Sequence, residues 1–143
     1  MDDATNRSEL EVLSEEECLR LLASRTLGRV AIAVDGQPQI FPVNYAVAEG
    51  RVVFRTAAGT KLEHGPMSRA AFEIDEFDPA TGVGWSVMVQ GVLHEVTGTV
   101  DRVSEPLRRL AIQPLAPGQR EHFLAVYPSV ISGRRFALAP PAG

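Results

Sequence analysis

Three apolar runs follow one another at short intervals in this chain of 143 residues: "RVAIAV", "QIFPVNYAV" and "RVVFRT". Asp35-Gly36 and Glu49-Gly50 lie between them. This spacing constrains the fold more than any other feature. β-Branched and aromatic residues fit a pleated strand, and a glycine behind an acidic residue fits the left-handed positions of a tight hairpin turn. The gaps are too short for a parallel crossover, which needs a dozen or more residues. Antiparallel strands in a meander are therefore predicted. Pro42 interrupts the second run and removes a ladder donor, so that strand is an edge, is bulged, or faces a ligand there.

The flanking segments extend this pattern. Residues 1–12 read as a loose polar leader and 13–143 as one domain. In "LSEEECLRLLASRTLG", Ser14 and Glu17 stand at capping-box spacing, with Leu13 and Cys18 at the staple positions. A helix over Ser14–Thr26 is predicted, ended by Gly28, with Cys18 in the core beside Leu19, Leu21 and Leu22. "GTKLEHGPMS" reads as one or two helical turns, "RAAFEIDEF" as a further strand and "DPATGVG" as a loop. "WSVMVQGVLHEVTGTVDRV" is one long bent strand or two consecutive ones, its internal Gly91 and Gly98 marking bulges or corners. "SEPLRRLAIQPL" and "PGQREHFLAVYP" read as short helices, and "SVISGRRFALAP" as the last strand. About six antiparallel strands with peripheral helices make a small closed or partly closed barrel. The chain has no GxGxxG and no βαβ alternation, so nothing points to a Rossmann fold.

Composition narrows the function. A net charge of −4 argues against a general nucleic-acid binder. No apolar run reaches membrane-span length, and the acidic start "MDDATNRSELEV" is no signal peptide, so a cytoplasmic protein is expected. The single cysteine excludes an internal disulfide, and 3 scattered histidines offer no zinc spacing. His64, His94 and His122 read as surface or interface residues, and Asp75, Glu76 and Asp78 as a solvated rim.

The chemistry-bearing candidates lie at strand ends. "FRTAAGTKLE" brings Arg55, Thr56, Gly59, Thr60 and Lys61 together after the third run. Cations, hydroxyls and a glycine ahead of a helical turn are the parts of an anion site. They equally make a solvated turn whose charges pair with Glu49 or Glu63, and the trio Gly-Thr-Lys lacks the full P-loop spacing. In "PVNY", Pro42 frees neighbouring backbone for a ligand and Asn44 offers a donor and an acceptor, although an edge strand with core-facing Val43 and Tyr45 accounts for the same residues. In "GVGWSVMVQG", the only tryptophan, Trp85, stands beside Ser86, where it could cover a planar ring, anchor an interface or fill the barrel end.

Taken in order, "FPVNYAV", "RVVFRTAAGTK", "AFEIDEF" and "GWSVMVQG" resemble the pyridoxamine 5′-phosphate oxidase-like proteins of the flavin-binding split-barrel class, in particular its small single-domain branch. The resemblance spans Leu13 to Val100 and implies a six-stranded antiparallel split β-barrel that forms a homodimer with flavin at the interface. It implies FMN as cofactor, with the deazaflavin F420 as the alternative. Arg55, Thr56, Thr60 and Lys61 correspond to the group that grips the phosphate. Val43 and Asn44 would line the edge of the isoalloxazine, and Trp85, Ser86, Val87 and Gln90 would reach the flavin, often from the partner subunit. The implied activity is that of a flavin-dependent oxidoreductase acting on a small molecule, or of a non-catalytic binder of flavin or another planar ligand. The arginines of "SGRRFAL" do not match the substrate-phosphate residues of the true oxidases, so vitamin B6 oxidation is not implied.

Overall fold

A computed structural model describes residues 9–56, 68–96 and 122–138. It holds strand β1 (Glu9–Val12), helix α1 (Glu15–Ala23), β2 (Leu27–Val34), β3 (Gln37–Ala48), β4 (Arg51–Thr56), β5 (Arg69–Asp78), β6 (Val83–Val96) and β7 (His122–Ala137). All pairings are antiparallel, in the order β1-β7-β4-β3-β2-β5-β6, and β6 also pairs with β7. That last pairing closes β2 to β7 into a six-stranded barrel. β1 stands outside the ring, against the stretch of β7 that runs on beyond β4: β4 pairs with His122–Val126, and β1 with Arg134–Ala137.

The meander forms as expected. Asp35 (φ 52°) with Gly36 (φ 78°), and Glu49 (φ 53°) with Gly50 (φ 75°), take left-handed conformations in succession, the turn whose twist matches the flanking strands. β4 pairs only with Tyr45–Ala48 of β3, so among the described residues Pro42 has a neighbouring strand, β2, on one side alone. Its missing N–H is tolerated on such an edge.

Side chains alternate across the strands. Val30, Ile32, Val43, Tyr45, Val52, Phe54, Phe72, Ile74, Val87, Val89, Leu93, Leu124 and Val126 fill the barrel. Each such burial stabilises by about 1.5–3 kcal/mol before entropy is counted. Helix α1 adds Cys18 and Leu22 to the same core, and the Tyr45 hydroxyl donates to the Leu22 carbonyl at 2.6 Å. The Glu17 N–H donates to the Ser14 hydroxyl at 3.1 Å, so the predicted cap is real.

Several expectations are corrected. The helix stops at Ala23, where the Ser24 N–H turns back to the Leu21 carbonyl, rather than at Thr26. Gly28 does not end it. That glycine lies in β2, where a Cβ would stand 2.2 Å from the ring of Phe72, so its role is close packing inside the barrel. The segment "HFLAVYP" is strand, not helix: Phe123, Leu124, Ala125 and Val126 are all buried, between β4 and β6. A strand covered on both faces reads as a continuous apolar run, which periodicity does not separate from a buried helix. Glu9–Val12, the end of the expected leader, is strand β1. β6 is a single strand to Val96, and the register slips between Gln90 and Gly91, opposite Pro128 to Val130. A Cβ on Gly91 would lie 2.0 Å from the Tyr127 carbonyl oxygen, so the bulge needs glycine there. The helical turns expected in "GTKLEHGPMS" and "SEPLRRLAIQPL", and Gly98, lie outside the described residues.

Candidate functional site

β4 carries the cation of the candidate phosphate group. Val52 and Phe54 point into the barrel, so Arg55 points outward, on the side of Val53. There its guanidinium lies 5.4 Å from the centre of the Phe123 ring. Stacking on an aromatic face holds a guanidinium in place while leaving its fork of donors directional. Thr56 ends the strand, paired with His122. Thr60 and Lys61 lie outside the described residues.

The second candidate group divides between two faces. Val43 is only 3% exposed and Val87 is fully buried. Both side chains belong to the barrel core, so only their backbone could meet a ligand. Asn44, between Val43 and Tyr45, is half-buried and faces the other way. In β6 the alternation places Trp85 on the side of Val87, packed against the core, and Ser86 on the outer face. One ligand plane therefore does not touch both side chains of the same chain. Gln90 is exposed, beside a cavity of about 270 Å³ that is also lined by Ala31, Pro38, Arg69 and Gly91.

Ser86 opens onto a cavity of about 370 Å³ lined by Leu10, Val12, Glu73, Met88, Ser132 and Arg134. This outer face holds a charged group that the sequence reading missed. Arg29 of β2 reaches Glu73 at 2.7 Å and Asp75 at 2.9 Å with the same nitrogen. Burial, then the hydrogen bond shared with Asp75, raises the Glu73 carboxyl above its ordinary value, whereas that hydrogen bond lowers Asp75. Of the two carboxyls, Glu73, beside Ser86, is therefore the one more readily protonated. Two acids two positions apart on a strand share a face, which is the signal that "EID" offered. Asp75 and Glu76 are not merely a solvated rim, since each has an arginine partner: Arg29 for Asp75 and Arg25 for Glu76. Elsewhere, His94 lies tilted against Tyr127 with ring centres 4.3 Å apart, and the Arg51 guanidinium lies 4.1 Å from the centre of the Tyr127 ring. Cys18 is buried in the core, where desolvation raises its thiol pKa, so it is no nucleophile.

No group of three or more histidine, cysteine or acidic side chains able to hold a metal occurs among the described residues. No described helix is long and apolar enough to cross a membrane.

Comparisons with known proteins agree with this architecture. The family model for pyridoxamine 5′-phosphate oxidase matches residues 14–135. An uncharacterised protein of Mycobacterium tuberculosis is 35% identical over 133 residues, 89% of this chain and 86% of its own. The FAD-binding protein of Mycobacterium smegmatis superposes with a TM-score of 0.73 at 38% identity, over 89% of this chain and 98% of that one. A candidate pyridoxamine 5′-phosphate oxidase from Corynebacterium glutamicum superposes with a TM-score of 0.76 at 32% identity, over 98% of both chains. On the closed antiparallel barrel and the match along most of its length, the chain belongs to the pyridoxamine 5′-phosphate oxidase-like family of flavin-binding split barrels.

Proposed function

We propose that this protein binds a flavin nucleotide and uses it to oxidise or reduce a small molecule. The observation that carries the reading is the 38% identity to the FAD-binding protein of Mycobacterium smegmatis, across nearly all of that chain. It favours FAD over the FMN that the family resemblance implies, with F420 as the remaining alternative. The residues fit such a ligand chemically. A nucleotide of this kind couples an anionic phosphate to a flat apolar ring, and it needs cations at one end and an apolar slot with few polar contacts at the other. Arg55, fixed over Phe123, with Thr56, Thr60 and Lys61 following it in the chain, supplies the first. The edge of β3 at Pro42–Asn44 and the outer face of β6 at Ser86 supply the second. When bound, the flavin carries the electrons, and the protein's task is placement and electrostatics.

Self-association belongs to the same proposal. Leu10 (64% exposed), Val12 (82%), Met88 (37%) and Val130 (50%) leave large apolar side chains uncovered on the outer strands around the Ser86 cavity. An apolar patch of this kind marks an interface, and a second copy would cover it and help enclose a flavin. Light scattering on a size-exclusion column should give twice the mass of one chain, and Met88→Glu with Val12→Glu should return the single-chain mass.

The purified protein should be yellow, with a flavin absorption spectrum. The mass of the chromophore released on denaturation separates FAD, FMN and F420. Arg55→Ala and Lys61→Ala should each weaken flavin binding by about one to two decades, the equivalent of about 1.5–3 kcal/mol for a charged contact. A colourless protein that takes up none of the three on titration overturns the reading. Bound flavin that no donor reduces would leave a flavin carrier instead of an oxidoreductase.

A further inference from the structure

A cavity of about 540 Å³ lies at the β5–β6 hairpin, on the Trp85 side of β6. Trp85 and Val83 form its apolar wall, and Glu76 and Asp78 place carboxylates at its edge. None of its lining side chains is cationic. Phe77 points to the opposite face of the hairpin, where it stacks on Phe136 with ring centres 6.0 Å apart and an interplanar angle of 21°. Asp78 is oriented by the Ala80 N–H, which donates to its carboxylate at 2.9 Å. Glu76 and Trp85 are direct cross-strand partners, so the carboxylate and the indole share a face.

The same two side chains already hold a cation. The guanidinium of Arg25 pairs with Glu76 and lies 5.3 Å from the centre of the Trp85 ring. Arg25 is not among the residues lining the cavity, so it engages Trp85 and Glu76 from outside it. An indole face beside a carboxylate attracts cations through the ring quadrupole and through charge together. Trp85 and Ser86 stand on opposite faces of β6, so this site is separate from the one beside Ser86.

We propose that this cavity is a binding site for a flat organic cation, with Trp85 contacting the ring and Glu76 and Asp78 the charge. Arg25 competes for Glu76 and so sets the affinity.

Trp85 is the only tryptophan, so its fluorescence reports on the site directly. The full chain is titrated with benzamidinium, benzamide and benzoate, which share a shape and differ in charge. Benzamidinium should change the emission saturably and bind about tenfold more tightly than benzamide, and benzoate should bind most weakly. Glu76→Gln should bring benzamidinium down to the affinity of benzamide. Arg25→Ala should strengthen benzamidinium severalfold by releasing Glu76. Asp78→Asn leaves the Arg25 pair intact and should also weaken benzamidinium, which keeps the test open if Glu76→Gln does not fold. The absence of a saturable change with all three probes overturns the proposal. So does benzoate binding as tightly as benzamidinium, or benzamidinium binding unchanged in the carboxylate variants. Flavin content, read by absorbance on the same samples, is an independent measurement, so failure here does not bear on the flavin reading.

Discussion

Tyr45 shows how one residue ties the helix to the barrel. Its ring is buried, edge-on to Phe72 at 4.7 Å, and its hydroxyl donates to a carbonyl of α1. Burial pushes the phenol up to about 12, with Arg25 pulling weakly the other way. An unfolded phenol ionises near pH ~10. The stabilisation from keeping Tyr45 neutral is therefore complete below about pH 10 and is lost as pH rises towards about 12. Tyr45→Phe should flatten the alkaline limb of the stability curve over that window in thermal melts followed by circular dichroism. Near neutrality it should cost about 1–3 kcal/mol, because the Leu22 carbonyl loses its donor. In the sequence "PVNY" marked Tyr45 as a core residue, but nothing marked its partner, since the carbonyl it meets is backbone. The same limit applies to Val43 and Val87. Neighbours of polar candidates on a strand, they point to the opposite face, and strand alternation shows this only once the inward face is known.

At the scale of elements, β5 concentrates charge on one face and core on the other. Phe72 and Ile74 point inward, and Glu73 and Asp75 point outward to Arg29. The folded state raises the Glu73 pKa, so ionising it costs stability as pH rises through that raised value. Asp75 works in the opposite sense, and its contribution is lost as pH falls below the ordinary 3.8. At pH 7, Glu73→Gln should melt no lower than the parent, since an amide still bonds to Asp75 and leaves Arg29 to pair with it. Asp75→Asn should melt lower, and its deficit should shrink as the buffer is taken to strongly acid pH. A Glu73→Gln protein that melts well below the parent at pH 7 would show that the contact of Glu73 with Arg29 outweighs the cost of burying its carboxylate. Elements with a local signal were legible in the sequence: the hairpins through their glycine turns, and α1 through its cap. The first half of β7 was not, because a strand buried on both faces carries no period-two pattern, and its partners β4 and β6 lie far away in sequence. β1 was missed for the converse reason. It is exposed throughout and, among the described residues, pairs only with β7.

At the scale of the molecule, closure of the barrel rests on β7, which pairs with β6 along most of its length and with β4 and β1 on its other edge. These contacts join residues far apart in sequence, so the run of short glycine-broken strands suggested a closed or partly closed barrel without showing which strands close it. A closed ring has no open edge from which to unravel, so loss of β7 packing should unfold the described barrel as a unit. Leu124→Ala empties a fully buried site in that strand and should cost about 2–5 kcal/mol. Leu10→Ala alters a side chain already 64% exposed on β1 and should change the stability of the isolated chain by about 0.5 kcal/mol or less. Urea unfolding provides the measurement, with Trp85 emission reporting on the end of β6 and circular dichroism on the whole sheet. If closure is cooperative, the two probes give one transition in the parent and in Leu124→Ala, shifted to lower urea with an unchanged slope. An earlier Trp85 transition in Leu124→Ala would show instead that the β5–β6 end detaches first, and that the barrel is two units held together by β7.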